Sequence, residues 1–156
     1  MLSSLLAALA LSLSTTAGQS TQTPEETAMY AQDYRELAQA YANAPKPVIV
    51  SVVTDRRRNR VRVTGTAPSV WFSENQIPVS VEDSKGENIG GFLAHAPHDY
   101  GDEENASWAF DVEFEIPRGT TPATVKVSAD EAAGEWGDVG PPPSPSFRFA
   151  IPAETH

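Results

Sequence analysis

The 156-residue chain contains no cysteine, which excludes disulfides, thiolate metal sites, cysteine nucleophiles and the thioether lipid anchor of bacterial lipoproteins. The same absence leaves the redox compartment open. Basic residues are scarce: 11 Lys and Arg stand against 21 Asp and Glu, a formal net charge of -10. Such a field repels a phosphate backbone or an anionic bilayer, so nucleic acid is not an expected partner. Long apolar runs are missing as well. The run over residues 5–13 falls well short of the roughly 20 residues that a membrane-spanning helix needs, so no transmembrane segment is expected.

Catalytic signatures are also lacking. Serines are plentiful, but none lies in a Gly-x-Ser-x-Gly elbow, and there is no His-Glu-x-x-His pair or phosphate-cradling glycine loop. A hydrolase needs a nucleophile, a base and an orienting group brought together. The three histidines are His95, His98 and the terminal His156. Glu103 and Glu104 are adjacent, so in a strand they would point to opposite faces. The chain is therefore read as not an enzyme, with no catalytic residue, no cofactor and no metal site.

What is present begins with a leader. Leu5, Leu6, Leu9, Leu11 and Leu13, set among alanine and serine, form an apolar stretch of signal-peptide length. Small residues follow, and cleavage after Ala17 or Gly18 would suit a signal peptidase. Residues 1–18 are thus expected to be a signal peptide and the mature protein to be secreted or periplasmic. The basic residues that usually open such a leader are missing, which fits a misplaced start codon; a disordered cytoplasmic tail is the alternative. Residues 19–46 read as a linker with a short helix. Thr23 is placed as its N-cap, Pro24 at the first helical position, and Glu26 reaches back in a capping box. Tyr30, Tyr34, Leu37 and Tyr41 recur at helical spacing, a narrow stripe that could dock on the following domain or on a partner. Ala44-Pro45-Lys46-Pro47 ends the helix, because a residue before proline is driven from the α region.

From Pro47 the apolar period changes to two, the pattern of half-buried strands. Residues 48–53 are a nearly continuous β-branched run, and Val61 and Val63 alternate with Arg60, Arg62 and Thr64. Ile77, Val79 and Val81 form the next strand, before a turn at Asp83-Ser84-Lys85-Gly86; a weaker strand with Gly90 and Gly91 covers residues 88–96. The clearest strand spans residues 107–116. Trp108, Phe110, Val112, Phe114 and Ile116 face one way there, and Ala109, Asp111, Glu113 and Glu115 the other. Val125, Val127 and Ala129, then Phe147, Phe149 and Ile151, close the pattern. Seven strands over residues 47–152, with 13 prolines in the chain and turn-rich connections, predict an all-β, immunoglobulin-like, two-sheet antiparallel sandwich. A small barrel is the alternative.

The residues also resemble a family. Val63-Thr64-Gly65-Thr66-Ala67, Val70-Trp71-Phe72-Ser73-Glu74, the hairpin Ile77-Pro78-Val79-Ser80-Val81-Glu82-Asp83 with Gly86, and Trp108-Ala109-Phe110 leading to Phe114-Glu115-Ile116-Pro117 are similar to the immunoglobulin-like domain of bacterial spore germination proteins. The likeness covers residues 48–152 and departs from the family at residues 129–146, which are acidic and proline-rich where the family has a glycine turn. It implies a cell-envelope setting and an accessory binding or assembly role, and it brings no catalytic residues.

The remaining candidates are binding residues. Arg56, Arg57, Arg58, Arg60 and Arg62 form one basic cluster, read as a solvated hairpin turn with Arg60 and Arg62 on the wet face of the next strand. His95 and His98 lie near Asp99, Asp102, Glu103, Glu104 and Asn105, but the spacing matches no cation loop and is read as an exposed connection. Of Trp71 and Phe72, at most one can point inward if the segment is extended. Trp136, between Glu135 and Gly137, is the candidate ligand contact. The expected partner is an envelope protein or a cell-wall polymer, engaged through loops or an edge strand. The alternative is a carbohydrate- or cation-dependent module using Trp136 and the acidic loop.

Overall fold

A computed structural model of the chain describes residues 22–96, 106–132 and 134–153. The leader expected at residues 1–18 lies outside them. Among the described residues no helix is long and apolar enough to cross a membrane.

Helix α1 (Pro24–Asn43) begins as the sequence dictates. The Glu26 backbone N–H donates to Thr23 Oγ1 at 3.1 Å, and the Thr23 N–H donates to Glu26 Oε2 at 2.9 Å, which together complete the capping box. Pro24, Glu25 and Glu26 suit the first turn, where the missing N–H is harmless and negative charge meets the positive end of the dipole. Ala44 leaves the helix in an extended conformation ahead of Pro45. No residue of α1 is fully buried. Tyr30, Tyr34, Leu37 and Tyr41 are all half-buried, and Tyr41 packs against the domain core. The tyrosine stripe is thus the docking face of the helix.

Seven strands follow: β1 (Val48–Asp55), β2 (Arg60–Pro68), β3 (Gln76–Glu82), β4 (Asn88–His95), β5 (Ser107–Glu115), β6 (Thr124–Ser128) and β7 (Ser146–Ala150). They form two antiparallel sheets, one of three strands in the order β1-β2-β5 and one of four in the order β4-β3-β6-β7. Alternation decides what each strand buries. Val61 and Val63 of β2 and Phe110, Val112 and Phe114 of β5 face Ile77, Val79 and Val81 of β3 and Val125 and Val127 of β6 in one shared core. Ile116, just past β5, joins them.

On one side the two sheets close together where β4 passes β5. At Gly90 an added Cβ would lie 2.8 Å from the Glu115 carbonyl oxygen and 3.2 Å from Ile116 Cγ2, so the close approach requires a residue without a side chain. The glycines, read in the sequence as weakening the strand or marking a bulge, do sit beside a register shift between the pairs Val81 with Gly90 and Glu82 with Asn88, and Gly90 is what allows the strand to pack. Trp108 keeps the inward parity of β5 but, at the start of the strand, is only half-buried; it meets Phe72 with ring centroids 5.2 Å apart, tilted by 49°. Trp71 and Phe72 do not share an extended segment, because Ser69–Trp71 is a 3-10 turn; Trp71 enters the core and Phe72 packs at its margin.

Candidate functional site

The two ends of the domain differ in chemistry. β2 runs from the arginine turn to the η1 turn (Ser69–Trp71), so the arginines lie at one end while α1 and the η2 turn (Gly137–Val139) meet at the other. Between them, along one margin of the three-stranded sheet, runs β1.

β1 pairs with β2, and among the described residues no strand pairs with its other side. The register slips between Ile49 and Ser51, leaving Val50 out of the ladder. That bulge shifts the parity of the β-branched run. Ile49 and Val52 pack against the core, whereas Val48, Val50 and Val53 are 56%, 70% and 58% exposed. A bulge is a common device for blunting an edge, but beyond it Ser51 to Asp55 stay in regular register with Thr64 to Arg60. This second half of β1 presents unpaired backbone donors and acceptors beside an apolar side chain, Val53.

The outer face of the same sheet is polar and laced by ion pairs. Arg60 Nη1 donates to Glu113 Oε1 at 2.7 Å and Arg60 Nη2 to Glu115 Oε1 at 3.3 Å; Arg62 Nε donates to Asp111 Oδ1 at 2.8 Å, with a second bond from its Nη2 to Oδ2. Each arginine reaches a carboxylate one pleat along from its directly opposite residue, Glu115 for Arg60 and Glu113 for Arg62. The Arg62 hydrogen bonds hold the Asp111 carboxyl below the usual carboxylate range, against a smaller opposing effect of desolvation. All five side chains are about half exposed or more, so the ladder adds little stability. Its consequence is for charge. Two of the five clustered arginines are paired with the three carboxylates on the back of β5, while Arg56, Arg57 and Arg58 lie at the turn, with Arg58 beside Asp55.

At the opposite end, Trp136 is half-buried rather than projecting into solvent. Its Nε1 donates to the Ala132 carbonyl at 3.3 Å, and with Leu37, Tyr41, Phe72 and Asp130 it lines a cleft of about 280 Å³ at the seam between α1 and the sheets. The Tyr30 hydroxyl donates to Glu135 Oε2 at 3.4 Å on the same seam. Burial, and then the nearby Asp130 charge, push the Tyr41 phenol up. Trp136 therefore lies beside the helix, tied to its own loop, with one margin open to the cleft.

His95 is exposed at the end of β4. His98, Asp99, Asp102, Glu103, Glu104, Asn105 and His156 lie outside the described residues, and so does the acidic loop as a whole. Among the described residues no three His, Asp or Glu side chains converge on a point that could hold a metal. Sequence reasoning missed the pair formed by Glu82 and Arg148, whose carboxylate is the one buried charged group among the described residues. The only sequence signal for it was the outward position of each residue in its own strand. Compared with protein-family models, with curated proteins and with solved structures, the chain has no match.

Proposed function

We propose that this chain is a non-catalytic, extracytoplasmic binding domain of the bacterial cell envelope, immunoglobulin-like in type, that takes up an extended segment of a partner protein along β1. The immunoglobulin-like reading is supported by the strand order. The hairpin β1-β2 joins β5 in one sheet while β3, β6 and β7 lie together in the other, as in constant-type immunoglobulin sandwiches, with β4 remaining on its hairpin partner β3 instead of crossing to the first sheet. The family resemblance in the sequence supports the envelope setting, and the leader supports export.

The observation that carries the binding reading is the free side of β1 with Val53 exposed beside it. Strand addition draws affinity from main-chain hydrogen bonds and needs no special side chains. The edge is flanked by Lys46 before it and by Arg56, Arg57 and Arg58 after it, in a chain of net charge -10. Self-pairing of β1 in antiparallel fashion would set Lys46 of one copy opposite the arginine turn of the other, which is repulsive. An acidic extended segment from a different protein meets no such penalty.

The test is a photo-crosslinking side chain placed at Val53, with the same group at Lys126 on the outer face of the four-stranded sheet as control. In the envelope of the producing cell, a crosslink at Val53 that maps to an extended, acidic stretch of another protein supports the reading. Equal crosslinking at both positions, or crosslinking of the chain to itself at Val53, contradicts it. A second reading, carbohydrate recognition at the seam, is favoured by the convergence of Tyr41, Phe72, Trp136 and Asp130 on one cleft, since aromatic faces and a carboxylate suit a sugar.

A further inference from the structure

We propose that the end of the domain formed by the β1–β2 turn and the loop after β5 is a binding site for a phosphate group, presented by a cell-wall polymer or free in solution. A cleft of about 400 Å³ opens there, lined by Arg56 and Arg57 from the turn and Arg118 from the loop, with Thr54, Asn59 and Thr121 beside them; no Asp or Glu lines it. Its volume falls in the roughly 300–1,000 Å³ range of small-ligand sites.

Four arginines of the chain each face a carboxylate. Arg58 faces Asp55, Arg60 faces Glu113 and Glu115, Arg62 faces Asp111 and Arg148 faces Glu82. Among the described residues, the guanidinium groups of Arg57 and Arg118 have no carboxylate within 4.0 Å. An acidic chain of net charge -10 thus gathers two uncompensated guanidiniums from separate loops into one cleft, where they repel each other unless an anion sits between them.

The backbone that carries them is fixed before any ligand arrives. Asp55 Oδ1 accepts the N–H groups of Arg57 and Arg58 at 3.0 and 3.1 Å, and Ile116 N–H donates to the Asn59 carbonyl at 2.8 Å, tying turn to loop. Directly after Arg118, Gly119 takes φ +83°, a left-handed conformation that glycine adopts freely, and Thr120 N–H closes the turn on Pro117 at 3.2 Å. Guanidiniums arriving from two different turns suit a tetrahedral oxyanion, which offers acceptors in several directions. A lone carboxylate is planar and is satisfied by one bidentate arginine. Overall negative charge restricts the ligand to isolated phosphate groups or polymers whose charges are widely spaced, and excludes duplex nucleic acid.

This site is independent of strand addition at β1. It is tested on the full chain by amide chemical-shift titration with inorganic phosphate, with a glycerol-phosphate polymer, and with poly-glutamate as an acidic peptide, all against sodium chloride at matched ionic strength. Saturable shifts confined to residues 54–59 and 117–121 are expected with phosphate. An Arg57→Ala/Arg118→Ala double variant, unchanged in melting temperature, should weaken that binding by about tenfold or more, as loss of two charge-assisted contacts implies. Tighter binding of the polymer than of inorganic phosphate identifies a polymer source, and equal binding identifies free phosphate. Shifts reproduced by chloride, binding unaltered in the double variant, or poly-glutamate binding as tightly as phosphate would overturn the proposal. Val50→Lys should leave phosphate binding unchanged, which separates failure of this site from failure of the β1 reading.

Discussion

Arg148 and Glu82 form a bidentate pair across the four-stranded sheet. Arg148 Nε and Nη2 donate to Glu82 Oε2 and Oε1, both at 3.2 Å, and the glutamate side chain keeps only 11% of its surface exposed. β3 and β7 are not neighbours: β6 lies between them, so the pair bridges over a strand and ties the last strand of the chain to the centre of the sheet. Removing one partner leaves a mostly buried carboxylate without its counter-charge. We expect Arg148→Met to cost about 1–3 kcal/mol and the double variant Glu82→Gln/Arg148→Met to recover a large part of it. Urea denaturation of the two singles and the double measures the coupling; additive losses would show that the pair contributes no more than its separate side chains.

A pH dependence follows from Asp111. Its folded-state pKa is depressed by hydrogen bonding from Arg62, so the pair's stabilisation is fully present above the ordinary carboxylate pKa of about 3.9 and is lost as pH falls through the lower folded value. Asp111→Asn should therefore flatten the acid limb of the stability curve below about pH 4 while changing little at neutrality, because the pair is half exposed. Denaturation midpoints measured across that range check it. Stability of the variant that declines with acid as steeply as wild type would remove Arg62 as the cause.

Gly90→Ala tests the closure between the sheets. The new Cβ would press on the Glu115 carbonyl and on Ile116, so β4 must shift away from β5 at a cost of about 1–3 kcal/mol. Thermal unfolding reads the loss. An unchanged melting temperature would mean that the two margins are not held together.

Thr23→Ala removes the side-chain half of the capping box and should lower helix stability by about 1 kcal/mol. The seam at Trp136 depends on that helix, so tryptophan fluorescence should report looser packing at the α1 end. Identical spectra in the two proteins would show that α1 docks independently of its cap.

The strands were legible because burial follows alternation: Val61 and Val63, Ile77, Val79 and Val81, and Val125 and Val127 all lie in the core as period two dictates. The tyrosine stripe of α1 was legible for the same reason at period 3.6. Parity failed in β1, where the slip at Val50 exposes Val53 although the β-branched run is nearly continuous in sequence. Pairing between distant strands was not legible at all. Arg60 and Arg62 look like free surface charge until β5 is placed beside β2, and Arg57 and Arg118 look unrelated until the turn and the loop share one end of the domain. The place of Trp136, between Glu135 and Gly137, left both exposure and packing over the end of the domain open, because nothing local announces that it shares a cleft with α1.

The most direct test of the central claim, partner uptake along β1, is residue-resolved amide hydrogen exchange on the full chain, alone and bound to the protein crosslinked at Val53. The account predicts that amides of Ser51 to Asp55 facing away from β2 exchange rapidly in the free chain and become protected in the complex, with Val50→Lys abolishing the protection without lowering stability. Protection appearing instead at α1 and Trp136, with β1 unchanged, would contradict it.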